Sequence, residues 1–408
     1  MSSHGSSTPT VADLQVEPFR GGSRWIGVGG GIGVVLLLVT LLLGGMTSPR
    51  DMYYSYLVAF AYWAGIAFAS VLLLMIFHAT HARWVTILRR PIEAMAMSIP
   101  IFIILMIPIW IGMKEIYSWV DPAAAGFSPE ALKKIAHKAA YLNVTAFIVR
   151  SVLYFAFSWF VAWRLYSLSR RQDKEGGTEL LGRQRKFSAG MLPFIALAIT
   201  FAAFDWLMSL HPTWYSTIFG VYYFGGSFLS ALSILAVVTY HAGRINLFSG
   251  GMNVEHTASI GKLMLAFVCF WTYVAFSQLL LIWIAGLPEE IPFYITRFKP
   301  GWSWVGVVLI FCHFFIPFGA LLSRARKRDP KRLFRVALWI LAVHYIDIYW
   351  LAMPALYKDG AAFHWTQPLA FAGVGLVAIA TAVWALRGHL PVPIRDPYLA
   401  ESLRYRQP

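Results

Sequence analysis

Tyr53-Tyr54-Ser55 and, after six intervening residues, Tyr62-Trp63-Ala64-Gly65 open one apolar stretch of the chain. Trp214-Tyr215-Ser216 and, after six more, Tyr223-Phe224-Gly225-Gly226 open another, 161 residues further on. Two more correspondences support it, one of them close to that register. Asp205 precedes Pro212 by seven residues at the end of one apolar stretch, as Asp347 precedes Pro354 by seven at the end of another, and Arg150 and His313 lie mid-stretch 163 residues apart. Together they identify an internal repeat, the pattern of membrane folds built from duplicated halves.

The rest of the chain fits this frame. It is 58% hydrophobic and only 13% charged. Ten apolar stretches, at 25–46, 54–78, 92–113, 139–164, 189–210, 215–241, 259–286, 300–323, 332–356 and 366–387, each approach the roughly 20 residues needed to cross a bilayer. The expected architecture is an all-α polytopic membrane protein with ten transmembrane helices. Two parallel four-helix bundles, about 54–210 and about 215–356, are joined by peripheral helices 25–46 and 366–387 in a single membrane domain, 25–387. The loops are too short for an independent water-soluble core. Tails 1–24, rich in Ser, Thr and Gly, and 388–408, with Pro391, Pro393 and Pro397, offer no helical periodicity. Ser128-Pro129-Glu130 reads as the start of a short surface helix feeding the fourth span. The loop 287–299, with Pro288, Glu289, Glu290 and Pro292, reads as irregular and acidic near its start.

A net charge of +15 would suit nucleic acid, but the positions of the 34 Lys and Arg residues account for it otherwise. Most lie in the two tails and in alternate loops, with dense runs at 164–186 and 324–335. By the positive-inside rule both termini face the cytoplasm. The same runs would attract anionic lipid or an acidic partner, and no nucleic acid is implied. Arg20 and Arg24 precede the first apolar run as in a secretory signal. That run is long and no small-x-small cleavage pattern follows, so an uncleaved anchor is expected. Cys269 and Cys312, both within spans, are the only cysteines and exclude a CxxCH haem attachment or a four-cysteine cluster. Iron-sulfur or c-type haem centres of any redox assembly would belong to other subunits.

Five ionisable residues lie deep in apolar stretches: Arg150, Asp205, His313, His344 and Asp347. Each costs roughly 2.5–3.5 kcal/mol to insert, so such groups persist mainly where they pair or move protons and ions. His344 and Asp347, three residues apart, share a helix face. An imidazole titrates near neutrality, so with a carboxylate it supplies what a proton relay requires; a bridge locking helices, or metal or haem ligation, are the other readings. Asn143, Arg150 and Tyr154 form a stripe on span four. A guanidinium stays protonated, so Arg150 more plausibly holds a carboxylate, with Asp205 its natural partner by depth, either as an inert clamp or as part of a proton or quinone site. His313 reads either as a hydrogen-bonded core histidine or as part of the same site, and nothing in its spacing from His344 demands a haem b. Glu93 and Lys262 begin spans three and seven. They read as snorkelling charges or, for Glu93, as the cytoplasmic entrance of a half channel. Tyr222, Tyr223, Ser227 and Ser230 offer hydroxyls to a water chain.

Several runs resemble the F subunit of bacterial alternative complex III, a quinol:cytochrome c or electron-acceptor oxidoreductase. They are Phe204-Asp205-Trp206-Leu207-Met208-Ser209-Leu210 continuing into Trp214-Tyr215-Ser216-Thr217-Ile218-Phe219-Gly220, and Gly261-Lys262-Leu263-Met264 continuing through Phe276-Ser277-Gln278 to Pro288-Glu289-Glu290. His313-Phe314-Phe315-Ile316-Pro317-Phe318 and the segment from His344 to Trp350 fit as well, so the resemblance covers about 25–390. It implies the NrfD or polysulfide-reductase-like membrane fold. It also implies partners: a similar NrfD-like C subunit, an iron-sulfur subunit, multihaem and monohaem cytochrome c subunits and small membrane subunits. His211 departs from the pattern, standing where an acidic residue is expected.

The expectation is therefore a subunit of a bacterial cytoplasmic-membrane complex that carries no redox centre. It would supply a proton path coupled to quinol oxidation in the neighbouring C subunit, through Glu93, Arg150, Tyr154, Asp205, Lys262, His313, His344 and Asp347. A structural anchor and a quinone-binding subunit are the alternatives. An autonomous secondary transporter fits less well, because broken-helix signals do not face each other in the two halves.

Overall fold

Ten helices are long and apolar enough to cross a membrane: Trp25–Thr47, Pro49–Ala79, Arg83–Ile111, Val144–Glu175, Glu179–Leu210, Phe219–Arg244, Val254–Ala285, Pro300–Leu322, Pro330–Ala355 and Thr366–Leu386, here spans one to ten. The computed structural model describes residues 10–406; among them there is no β-strand, only an isolated bridge between Gly301 and Gly360. The chain is an all-α, multi-pass membrane protein.

Spans two and six are the most enclosed, with 94% and 72% of their apolar stretches buried, and the other spans gather round them. Packing runs in parallel through the two halves: span two lies on three and five as six lies on seven and nine, and span four lies on five as eight lies on nine. Spans two and six also pack on each other, five on six, and nine on two. Span one pairs with ten, and ten leans on two and three, so both are peripheral. The repeated residues make the central ties. Tyr223 Oη donates to the Ala61 carbonyl at 2.5 Å, and Tyr62 Oη donates to that of Leu341 at 2.9 Å. Gly65 permits this approach, since a Cβ there would run into Tyr223 and Ser227.

Span one opens with a π-helical turn, Trp25–Gly29, and spans three and eight are interrupted along their length. Span three breaks into Arg89–Ala96, Ile101–Leu105 and Ile107–Ile111, with the short helix Met113–Ile116 after it, because Pro100 and Pro108 lack amide protons and crowd the preceding turn. Backbone groups freed inside hydrocarbon need partners. Tyr56 Oη donates to the Leu105 carbonyl at 2.7 Å, and Tyr54 Oη to that of Ile116 at 2.8 Å. Span eight widens into a π-helical turn at Ile310–Phe315. Pro317 cannot donate to the His313 carbonyl four residues back, and the Trp339 indole of span nine donates to the Cys312 carbonyl at 2.8 Å. The interruptions fall in spans three and eight, which are not counterparts in the repeat.

Other expectations need correction. Asn143 is not on the Arg150 stripe; it caps span four, accepting from the Ala146 amide at 2.8 Å. The short helix before it, Pro129–His137, starts as expected at Ser128. The loop 287–299 contains a helix, Pro292–Phe298, because Pro292 stands at a helix start rather than in a turn. The carboxyl-terminal tail is packed too: Val392, Leu399 and Leu403 are buried, and Leu399–Leu403 is helical. Both tails lie on one side of the bundle, joined where the Phe19 amide donates to the His389 carbonyl and the Gly388 amide donates to the Phe19 carbonyl, both at 2.9 Å. We refer to this as the tail face.

Candidate functional site

The second bundle gathers a polar cluster from its four spans. Asp347, on span nine, is 1% exposed; Tyr222 Oη of span six donates to its Oδ1 at 2.5 Å, and the Trp271 indole of span seven donates to Oδ2 at 3.2 Å. His344 lies one turn back, its Nδ1 3.3 Å from Asp347 Oδ2 but not aligned for a hydrogen bond. His313, carried inward on the wide turn of span eight, stacks nearly parallel to His344 at 6.0 Å, with the Trp271 ring edge-on at 4.1 Å. The cluster closes around Gly226. A Cβ there would stand 2.6 Å from His344 Cε1 and 3.2 Å from Asp347 Oδ2, so span six approaches span nine only because this position has no side chain.

Polar atoms around the cluster are left without protein partners: both ring nitrogens of His313, Nε2 of His344 and the hydroxyls of Ser227 and Ser230, all buried. Ser230 is one helical turn beyond Gly226. Buried polar atoms of this kind are satisfied by ordered water or by a bound polar group. Chemically, then, the second bundle holds a carboxylate and two imidazoles to which, among the described residues, no guanidinium or ammonium is bonded.

The first bundle presents its carboxylate differently. Asp205 is fully buried and takes a two-pronged bond from Arg150, Nε to Oδ2 at 2.9 Å and Nη2 to Oδ1 at 2.8 Å. Tyr154 Oη adds a third donor at 2.8 Å. Arg150 is held in turn by the Tyr141 carbonyl at 2.9 Å and stacks over the Tyr141 ring at 3.8 Å. This is the partnership expected from depth and topology. A fixed cation and a bidentate fork hold both carboxylate oxygens in one geometry, which suits a lock better than a relay.

Glu93 is neither a snorkelling charge nor an open entrance. It is fully buried near the tail face between two guanidinium groups, with Arg90 Nη1 donating to Oε2 at 2.8 Å and Arg89 Nε 3.4 Å from Oε1. Arg90 also pairs with Asp173 of span four, and Arg89 Nη1 with Asp396 of the tail at 2.5 Å. The network ties spans three and four to the carboxyl-terminal segment. Lys262 is exposed on span seven, away from these groups. Beside it, burial and the charge of Lys262 push the Lys327 ammonium below its usual value. Of the eight residues singled out from sequence, the structure brings together Arg150, Tyr154 and Asp205 in one cluster and His313, His344 and Asp347 in another; Glu93 joins a third, and Lys262 none.

Sequence reading missed Arg297. It is 1% exposed on the helix Pro292–Phe298 and bonds no carboxylate; its Nε and Nη2 donate to the carbonyls of Trp350 and Leu351 at 3.2 and 2.8 Å, and Nη1 to Phe293 at 2.8 Å. It thereby closes the last turn of span nine, one turn beyond Asp347. Burial, opposed by Tyr294 and Tyr222 nearby, lowers its pKa to about 9. The same guanidinium, after burial, helps push His211 down to about 3. As one of several charges in a loop Arg297 carried no signal; Pro292 as a helix start was the available clue. Trp271 and Gly226 emerge only from the packing. Comparison with protein-family models and with curated proteins finds no match to this chain.

Proposed function

We propose that this chain is an integral subunit of a quinol-oxidising electron-transfer complex of the alternative complex III type, in a bacterial cytoplasmic membrane with the tail face inward. In this reading it holds no redox centre and works beside an NrfD-like C subunit, an iron-sulfur subunit and cytochrome c subunits. Its own contribution is a protonable station in the second bundle, formed by Asp347, His344 and His313 with Tyr222. The observation that carries the reading is the contrast between the two buried acids: Asp205 is clamped by a guanidinium, whereas Asp347 is surrounded by a phenol, an indole and an imidazole. A carboxylate among neutral donors exchanges protons more readily than one fixed by arginine.

The expectation is narrowed accordingly: Asp205, Arg150, Tyr154 and Glu93 hold helices, and proton exchange falls to the second bundle. In the complex reconstituted in liposomes, Asp347→Asn is expected to lower the proton-to-electron ratio while quinol oxidation continues. Asp205→Asn is expected to lower yield or stability with the ratio intact. Equal ratios in wild type and Asp347→Asn would remove the proposal. A purely structural anchor is the second reading, favoured by the Arg89–Arg90–Glu93–Asp173–Asp396 network. It predicts that every such substitution changes assembly alone.

A further inference from the structure

On the tail face, apart from both buried acids, the ends of spans two, three and five and the carboxyl-terminal segment line a small open cleft. Its lining carries His78, His81, Arg83, Arg89 and Arg185 against a single carboxylate, Asp396. Apolar side chains share that lining: Leu74 and Phe77 of span two, Ile92 of span three and Leu181 of span five. The charges are unevenly used. Arg83 is paired with Glu401 at 2.8 Å, and Asp396 is taken by Arg89 Nη1 at 2.5 Å. Arg185, exposed at the mouth, makes no ion pair among the described residues.

Two polar groups of this lining are buried without a partner. Arg89 is 5% exposed, and its Nη2 bonds nothing; His78 Nε2 is likewise unsatisfied. A buried guanidinium edge and an imidazole nitrogen left open are costly unless an acceptor meets them. His81 reports the same cationic convergence, held below its usual value by partial burial and then by Arg185 and Arg83.

We propose that this cleft binds a phosphate group, and that the phosphate is the headgroup of an anionic phospholipid. Phosphate oxygens would accept from Arg89 Nη2 and His78 Nε2 and face Arg185 across the mouth, and charge-assisted bonds of this kind are the strong ones. The lipid source follows from the lining. Cations and aliphatic and aromatic side chains line one cleft together, at the level where His78 and Ala79 end span two. That is the profile of a headgroup with its acyl chains, which a free ion would not need.

The test uses the full chain, purified in detergent and stripped of lipid, with thermal unfolding followed as phosphatidylglycerol, phosphatidylcholine or inorganic phosphate is added at matched ionic strength. Phosphatidylglycerol is expected to raise the wild-type midpoint and phosphatidylcholine to leave it unchanged. Arg185→Ala and His78→Phe are each expected to weaken the apparent affinity roughly tenfold, the effect of one lost charge-assisted bond. Arg324→Ala, in the other basic run, should behave as wild type. Arg185 is exposed and without an ion-pair partner, so its removal keeps the fold intact and the test decisive. Inorganic phosphate reproducing the whole shift would overturn the lipid assignment, and an undiminished response in Arg185→Ala and His78→Phe would overturn the site.

Discussion

Replacing Arg150 by Met leaves Asp205 fully buried with Tyr154 as its remaining side-chain donor. The magnitude follows from what is lost: two charge-assisted bonds of 2.9 and 2.8 Å, and the only cation bonded to that carboxylate. Removing one partner of a buried pair costs roughly 3–5 kcal/mol, because the other charge is left uncompensated. The Arg150 side chain keeps 19% of its exposure, so the lower end, about 3 kcal/mol, is expected. Asp205→Leu together with Arg150→Met removes both charges and should recover most of that loss, since an apolar pair of similar volume is often neutral. Reversible unfolding of the purified chain in mixed micelles, run as a double-mutant cycle, measures the coupling directly. A single substitution costing under about 1 kcal/mol, the value of an exposed pair, would refute the lock.

Gly226→Ala should cost about 1–3 kcal/mol by overpacking span six against His344, and in the assembled complex it should disturb proton coupling more than Gly243→Ala, where a Cβ meets nothing within 4 Å. Arg297→Met leaves three carbonyls without their donor and should lower stability by about 2–3 kcal/mol, measurable as increased amide exchange at the end of span nine. His211, whose pKa falls from 6.5 to about 3 on folding through burial and then Arg297, binds its proton more readily in the unfolded chain. Stability therefore declines as pH drops below 6.5, by about 1.4 kcal/mol near pH 5.5, and His211→Gln should flatten that part of a thermal-midpoint profile.

Much of this was legible before any coordinates. Periodicity and span length place all ten helices, because a segment in hydrocarbon must satisfy its own backbone and be apolar for about 20 residues. The Arg150–Asp205 pair was legible for the same reason: an unpaired buried charge is costly, and depth left one partner in that bundle. The misreadings share a cause. Glu93 reads as an interfacial charge only until Asp173 and Asp396, distant in sequence, bring its guanidinium partners into a buried network. Arg297 and Trp271 act across helix contacts that no local pattern encodes. The tail looked featureless because its order comes from seating Val392, Leu399 and Leu403 on the bundle, not from helical periodicity.

The repeat gives the contrast between halves its sharpest form. Arg150 of span four falls close to register with His313 of span eight, and Asp205 matches Asp347 by its place seven residues before a proline near the end of its span. One half therefore keeps a permanent cation where the other keeps an ionisable ring, and a deep carboxylate must either have such a cation or be free to give up its charge. Arg150→His imports the second half's choice into the first. Below neutrality the imidazole is charged and supports Asp205; as pH rises through its titration that support is lost. Stability of this variant should thus fall between pH 6 and pH 8 by about 1–2 kcal/mol, whereas Arg150→Lys, charged throughout, should show no such step. A level profile for Arg150→His over that interval would mean that Asp205 does not depend on charge at position 150, and the assignment of locking to one half and proton exchange to the other would lose its physical basis.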